Sequence, residues 1–513
     1  MTTTPFPRAT ARDWLGMAVL VLPALLASMD LSVLFMASPW ISADLAPTAS
    51  QHLWIMDIYG FVMAGLLITM GSIGDRIGRR KLLLIGALAF GAASVIAAHS
   101  TSAEILIAAR ALLGLGGATL APSTLSLIRG MFQDENQRRT AVGIWTGAFT
   151  GGMAVGPIVG GLLLERFGWG SVFLINVPVM VLLLIVAPII IREQRDSAPG
   201  RFDLLGALLS LAAVLPIVYG VKRAAEDGLD GTAIASLAAG IVFAGLFVLR
   251  QLNARSPMID VRLFARPSFS GSIVANLIIT FATAGMGLLT MTFIQIVLGY
   301  TPFAAALWAL PAVGGSIAGV TVASILAPKI CPAMLVAAGL LAAAAGFAVV
   351  STVTPDSGVG HLIAAYTVLT LGVGMTATMV TSLVLTTAPP EKAGAASALA
   401  ETSNELGGAL GIAVLGTLAA SIYRGTMQHA AVPGLESAAA QAANDTVGAA
   451  VAVAEHLPRE VAPLLLRQAF DAYSSGFTVA AIAGAAVLAG AAAFTGIALR
   501  SVTSQQVAET PTR

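Results

Sequence analysis

WLGMAVLVLPALLASMDLSVLFMASPW, residues 14–40, is an apolar run long enough to cross a bilayer, with one carboxylate, Asp30, past its middle. A helix of about 20 apolar residues spans the hydrocarbon core. An ionised acid placed there costs roughly 2.5–3.5 kcal/mol on insertion scales, so Asp30 calls for a reason. Runs of the same kind recur along nearly the whole chain of 513 residues, which is 57% hydrophobic and only 10% charged, with a mean hydropathy of +0.88. Soluble domains carry about 25% charged residues. The runs are continuous rather than alternating in ten-residue units, which argues against a β-barrel. The fold class is all-α polytopic membrane protein.

Composition sets further bounds. A net charge of +1 gives no reason to expect nucleic acid as a partner, and the single cysteine, Cys331, excludes an internal disulfide or a cysteine metal cluster. The first run is longer than a signal-peptide core and is expected to be retained. Fourteen apolar segments are read, centred near residues 27, 63, 90, 117, 152, 181, 212, 241, 284, 315, 341, 373, 410 and 487. With a cytoplasmic amino terminus, twenty of the 27 Lys and Arg residues fall inside and six outside, while Arg110 lies within a span. That distribution obeys the positive-inside rule, so both termini are expected in the cytoplasm and the protein in the inner (plasma) membrane. Two polar stretches, REQRDSAPGRFD and RQLNARSPMIDVRLFARPSF, bracket a central pair of spans. The expected division is a cytoplasmic segment at 1–14, six helices over 15–192, two inserted helices over 203–250, six more over 268–499 and a tail at 500–513. An external segment at about 423–474 is expected to form a partly helical hairpin. Within it PREVAPLLLRQAFDAY has helical apolar spacing but is too short and too charged to cross.

Three motifs stand out. GSIGDRIGRR, residues 71–80, joins the second and third spans. Its glycines permit a tight connection, and Asp75 can sit against the amino-terminal end of another helix. LIAARALLGLGGATL puts Arg110 four residues before Gly114 in the fourth span. GGMAVGPIVGGLLLERFG places Gly152, Gly156, Pro157, Gly160 and Gly161 in the fifth. Small residues at four-residue spacing mark close helix packing, and a proline inside a helix frees backbone groups and bends it. Together these resemble the major facilitator superfamily. The first follows its loop signature GxxxDRxGRR, with Gly71, Asp75, Arg76, Gly78 and Arg79 in place. The others follow its RxxxG pattern and its antiporter signature GxxxGPxxGG.

The resemblance covers the whole chain and looks like the fourteen-span drug:proton antiporters, within them the subclass exporting quaternary ammonium compounds and other lipophilic cations. Supporting stretches include LWIMDIYGFVMAG, SVFLINVP and AETSNELGGALGIAVLG. It implies the major facilitator fold with 14 transmembrane helices arranged 6+2+6, working by alternating access as a monomer, with protons as the driving partner and no cofactor. It also places a functional acid at the position of Asp30.

Four carboxylates lie within spans: Asp30, Asp57, Glu401 and Glu405. Asp30 is about 24 Å up from Trp14, and Arg110 lies at comparable height, so the two can pair. One arginine cannot neutralise four acids; the surplus must be protonated, wet or paired with a ligand cation. Desolvation raises a carboxylate pKa by up to 3–5 units, which suits proton exchange near neutrality. Asp30, tuned by Arg110, is therefore expected to couple protons, with Asp57 as a proton or substrate contact near the outer opening. Glu401 and Glu405, one helical turn apart, are the expected cation-recognition pair. Tyr59, Met29 and Trp308, together with Met56, Phe149 and Met153, are candidate apolar and aromatic partners for a flat cation. The five histidines map to outer loops or span edges, so no histidine relay or membrane metal site is expected.

The chain also departs from the family pattern. The helix that commonly carries a further acid reads LWALPAVGGSIAGV, with Ser316 near the expected place, and where two adjacent acids are common this chain has Ala400–Glu401. Divalent cations are expected to be handled poorly. Exchange of one proton for one monovalent cation moves no charge, whereas each further proton adds about 2.3 kcal/mol per 100 mV. Several titratable acids favour electrogenic exchange. The rival readings are an exporter of a neutral antibiotic or other secondary metabolite, and a nutrient importer. A membrane enzyme is disfavoured, as there is no Walker loop and no metal-ligand cluster.

Overall fold

The computed structural model describes residues 9–195, 203–227, 230–254, 261–387, 393–429 and 437–499, apart from some side chains inside helices, those of Asp75 and Glu401 among them. The amino-terminal residues before 9, the loop parts at 196–202 and 255–260, Lys392 and the tail from 500 lie outside it. Helices α1 (Ala11–Leu45), α2 (Ala49–Ile77), α3 (Arg79–Ala98), α4 (Ala103–Met131) and α5 (Glu135–Phe167) come first. A short α6 (Ser171–Leu174) runs into α7 (Asn176–Ile190), and α8 (Leu204–Asp227) and α9 (Gly231–Asn253) follow. Next is α10 (Pro267–Thr292), extended by a π-turn at Phe293–Val297. Then come α11 (Pro302–Leu326), α12 (Pro332–Val350), α13 (Val359–Thr387) and α14 (Ala393–Met427). Two small helices, α15 (Ser437–Asp445) and α16 (Val447–Ala454), precede the last, α17 (Ala462–Ala498). Among the described residues there is no strand, and eleven helical stretches are long and apolar enough to cross a membrane.

Local sequence sets the helix ends. Thr10 with Asp13, and Thr48 with Gln51, form reciprocal capping boxes at α1 and α2. Ser102, Asp134 and Thr301 cap α4, α5 and α11. Each cap satisfies amide donors that a helix start leaves open. Ala9 N donates to Gln137 Oε1 at 2.8 Å and the Arg12 guanidinium donates to the Ile189 carbonyl, so α1 begins beside the start of α5 and the end of α7. This end of the bundle also holds Arg79, Arg80, Arg129 and Arg138, and is called the basic end.

The packing repeats. In the first half α1 packs on α5, α2 on α4, and α3 on α4 and α7; in the second, α10 packs on α14, α11 on α13, and α12 on α13 and α17. Glycines permit these approaches: a Cβ on Gly114 of α4 would lie 2.6 Å from the Tyr59 carbonyl of α2. The two halves meet away from the basic end. There Gly60 of α2 faces Ala409 of α14, Gly161 of α5 faces Phe303 at the start of α11, and Phe35 of α1 lies over Gly287 of α10. Helices α8 and α9 pack on each other through Gly220 and Leu237, and α8 leans on both halves. Its Ser210 hydroxyl donates to the Gly65 carbonyl of α2 at 3.2 Å. Val214 and Leu215 pack against a buried cluster of Phe61 from α2 with Ala409 and Ala413 from α14.

Two expectations change in detail. The segment centred near residue 181 is two helices, broken at Ile175, and Asn176 donates to Ser94 Oγ at 3.2 Å inside the core. PREVAPLLLRQAFDAY is not a separate surface helix. From Ala462 it forms the first turns of α17, because after Pro463 no glycine or proline interrupts the chain until Gly476. The hairpin instead comprises α15 and α16, where Tyr423 of α14 donates to the Ala443 carbonyl at 2.8 Å and Gly448 packs on Ser42 of α1.

Candidate functional site

Three helices build the buried centre of the first half. Asp30 on α1 is 9% exposed and Arg110 on α4 is fully buried, and Arg110 Nη1 donates to Asp30 Oδ2 in a salt bridge. Arg110 Nε donates to the Ile55 carbonyl of α2 at 3.1 Å. Its guanidinium carbon lies 4.9 Å from the centre of the Tyr59 ring, one helical turn further along α2. Arginine suits this place because its planar fork can bond an acid, a carbonyl and an aromatic face at once. The Gly114 contact explains the geometry: α4 comes close enough to α2 for a carbonyl of one helix to serve a side chain of the other. A buried ion pair is a poor stabiliser by itself, since desolvation takes several kcal/mol per ion. Losing one partner costs much more, because the other charge is stranded.

The Gly152–Gly161 stretch frames Asp30. Gly152, Gly156 and Gly160 face α1 at Ser28, Met29, Ser32 and Val33, so α5 lies against the helix that carries the acid. Gly161 turns the other way, and a Cβ there would lie 2.8 Å from Phe303 Cα of α11. Pro157 sits inside α5 between these contacts. Met29 is buried at the α1–α5 contact, one residue before Asp30. Ser32 donates to the Met29 carbonyl at 3.0 Å.

A second grouping of acids crosses between the halves. Asp57 is 1% exposed, one turn before Gly60 on the face of α2 that meets α14. Glu405 is half-buried, one turn before Ala409 on the face of α14 that meets α2. Gly60 touches Ala409, with its Cβ position 3.7 Å from the Glu405 carbonyl. The helices are antiparallel here, so the two acids flank that contact about 10 Å apart along the axes. On α14 the backbone is held to α10 by Asn276, whose amide donates to the Ala400 carbonyl and to Ser403 Oγ, both at 3.0 Å. Glu401, one turn from Glu405, has its side chain outside the described residues, as do Phe149 and Met153. Met56 is buried beside Ile55. Trp308, by contrast, is 39% exposed near the start of α11, edge-on to Tyr300 at 6.3 Å and apart from these acids.

At the basic end, the 71–80 turn carries Gly71 against Pro122 of α4 and Gly78 at φ +111°. Arg76 is half-buried, and the Arg79 amide donates to the Gln194 carbonyl at 2.9 Å. The Asp75 side chain lies outside the described residues. Nothing in the sequence pattern pointed to the Ile55 carbonyl, Asn276 or the residues after α7 as partners. These are backbone groups, a neutral amide and the Glu193 carboxylate, supplied from far along the chain, and periodicity carries no sign of them. Outside the spans, Asp203 caps α8. Burial works to raise its pKa, but the Gly206 amide, Arg250 and Gln251 together hold it below the usual carboxylate range.

Comparison with known proteins adds the following. The family model described as Major Facilitator Superfamily matches residues 20–412. The multidrug efflux pump LfrA of Mycolicibacterium smegmatis is 44% identical over 494 residues, covering 96% of this chain and 97% of that protein. The methyl viologen resistance protein SmvA of Salmonella typhimurium is 35% identical, covering 91% and 94%. The tetracenomycin C resistance and export protein of Streptomyces glaucescens is 34% identical, covering 95% and 92%. Among solved structures, a bacterial homologue of the human lysosomal transporter Spinster, inward-facing and unoccupied, superposes with a TM-score of 0.68 at 17% identity, covering 96% and 98%.

Proposed function

Because this chain belongs to the Major Facilitator Superfamily, and is thus a membrane transporter rather than an enzyme, we propose that it exports lipophilic cations from the cell in exchange for protons. The halves rock about the central contacts, fourteen spans are arranged 6+2+6, both termini are cytoplasmic at the basic end, and a single chain suffices. The eleven apolar helices, with α2, α5 and α8 long enough to complete the set, and the repeated pairing of the halves support that arrangement.

The observation that carries the reading is the buried Asp30–Arg110 pair, set beside two more acids at the α2–α14 seam. Arg110 can hold Asp30 ionised, or release it when Asp30 takes a proton. Asp57, Glu405 and Glu401 then offer negative charge to a cation at the junction of the halves and take protons when it leaves. Tyr59 and Met29 are read as shaping the wall beside Asp30, and Trp308 as a contact near the mouth. The relative named for methyl viologen resistance supports a flat cationic cargo. The relative named for tetracenomycin C export supports the alternative, a neutral antibiotic or other secondary metabolite.

Reconstituted protein separates the two. Ethidium flux driven by an imposed pH gradient, retained at parent rate in Glu405→Gln together with Glu401→Gln, would refute cation recognition by these acids. With more than one proton per monovalent cation, flux at fixed pH gradient should also rise with membrane potential, by about 2.3 kcal/mol of drive per 100 mV for each extra proton. Flux indifferent to potential would mean one-for-one exchange.

A further inference from the structure

The turn after α2 leaves α3 without a cap of its own. Its N-cap residue is Gly78, which has no side chain to offer, although the first amides of any helix need acceptors. The segment after α7 supplies them. The Gln194 carbonyl accepts from the Arg79 amide at 2.9 Å, and Glu193 Oε1 accepts from the Arg80 amide at 3.0 Å. Arg80 answers with Nη1 donating to the Ile191 carbonyl at 2.8 Å, and its Nε lies 3.8 Å from Glu193 Oε2. Gln194 extends the tie to α4, its Nε2 donating to the Leu127 carbonyl at 3.3 Å. Gly78 is then glycine for two reasons. Its φ of +111° excludes most side chains, and a Cβ there would lie 2.5 Å from the Glu193 carboxylate carbon.

We propose that Glu193 is a positioning residue for transport: it caps α3 from 113 residues away and so fixes the shape of the 71–80 turn. It touches neither the Asp30–Arg110 pair nor the α2–α14 seam. Its effect on turnover rests on the transport reading above, whereas the capping itself does not.

The test uses full-length protein with Glu193→Ala, Glu193→Gln and Gly78→Ala. Glutamine keeps an oxygen for the Arg80 amide and loses only the charge. Loss of a cap corresponds to about a twofold to thirtyfold change. Glu193→Ala should slow ethidium turnover by that range with half-saturating ethidium and equilibrium binding unchanged, and Glu193→Gln should restore most of it. Gly78→Ala should resemble Glu193→Ala, and combining the two should add little, as for residues in direct contact. Hydrogen exchange at amides 79–82, measured without substrate, should speed up in Glu193→Ala and not in Glu193→Gln. Unchanged exchange in Glu193→Ala overturns the capping whatever the protein transports. Parent-like turnover, or loss in both variants with binding weakened in parallel, overturns the positioning role. A parent that moves no ethidium counts against the export reading, and exchange then decides for Glu193.

Discussion

Replacing Asp30 by asparagine keeps the shape of the site and removes one of its two charges. Arg110 is fully buried and retains the Ile55 carbonyl and the Tyr59 ring, neither of which carries a negative charge. Removing one member of such a pair costs about 3–5 kcal/mol, a factor of roughly 150 to 5,000 in the folded ratio. Removing both, with Asp30→Asn and Arg110→Gln, leaves two amides that can bond each other at a net worth of about 1 kcal/mol. The double variant should therefore unfold within about 1–2 kcal/mol of the parent, well above the single variant. Transport should not follow stability. Both variants lack the coupling carboxylate, so both should lose its share of the proton release on cation binding, leaving that of the seam acids, and should lose export against a gradient. Thermal unfolding of purified protein gives the first quantity, and proton release with ethidium efflux gives the second. A double variant that is stable and still pumps with coupled proton movement would refute the assignment of Asp30.

Two further outcomes follow from contacts elsewhere. Gly60→Leu places a side chain where Ala409 and the Glu405 carbonyl stand. It should cost about 1–3 kcal/mol by overpacking and hold the halves apart, seen as faster cysteine labelling at the α2–α14 seam and lost export; unaltered labelling would mean the seam is not closed here. Asp203 is depressed below its unfolded pKa of about 3.9, so its stabilisation is present above that value and lost as pH falls through the folded pKa. Asp203→Asn should cost about 1–2 kcal/mol at pH 7, little of it from the half-exposed Arg250. The gap to the parent should close below about pH 4, and a gap that widened with acid would contradict the sign.

Much of this molecule is written in its apolar runs, because length and continuity alone demand helices that cross a bilayer. The meeting of Asp30 with Arg110 was also within reach, since rise per residue sets their heights. What could not be read was rotation. A helix apolar on every side has no stripe to say which neighbour each face meets, so Asp57 and Glu405 seemed to belong to separate halves although they flank one contact. The same holds for Glu193, whose role depends on a glycine 115 positions earlier having no side chain. Trp308 was a candidate by residue type alone, yet near the start of α11 it is 39% exposed. The extension of α17 was obscured by its charges, which suit a helix standing clear of lipid.

A strut that touches both jaws of a tool must slide over one of them. Ser210 pins α8 to Gly65 of α2 by a hydrogen bond, whereas toward α14 its Val214 and Leu215 join an apolar cluster that holds Ala409 and Ala413. Under the rocking proposed above, that asymmetry makes α8 a rider on α2, with its contact to α14 the one that slides.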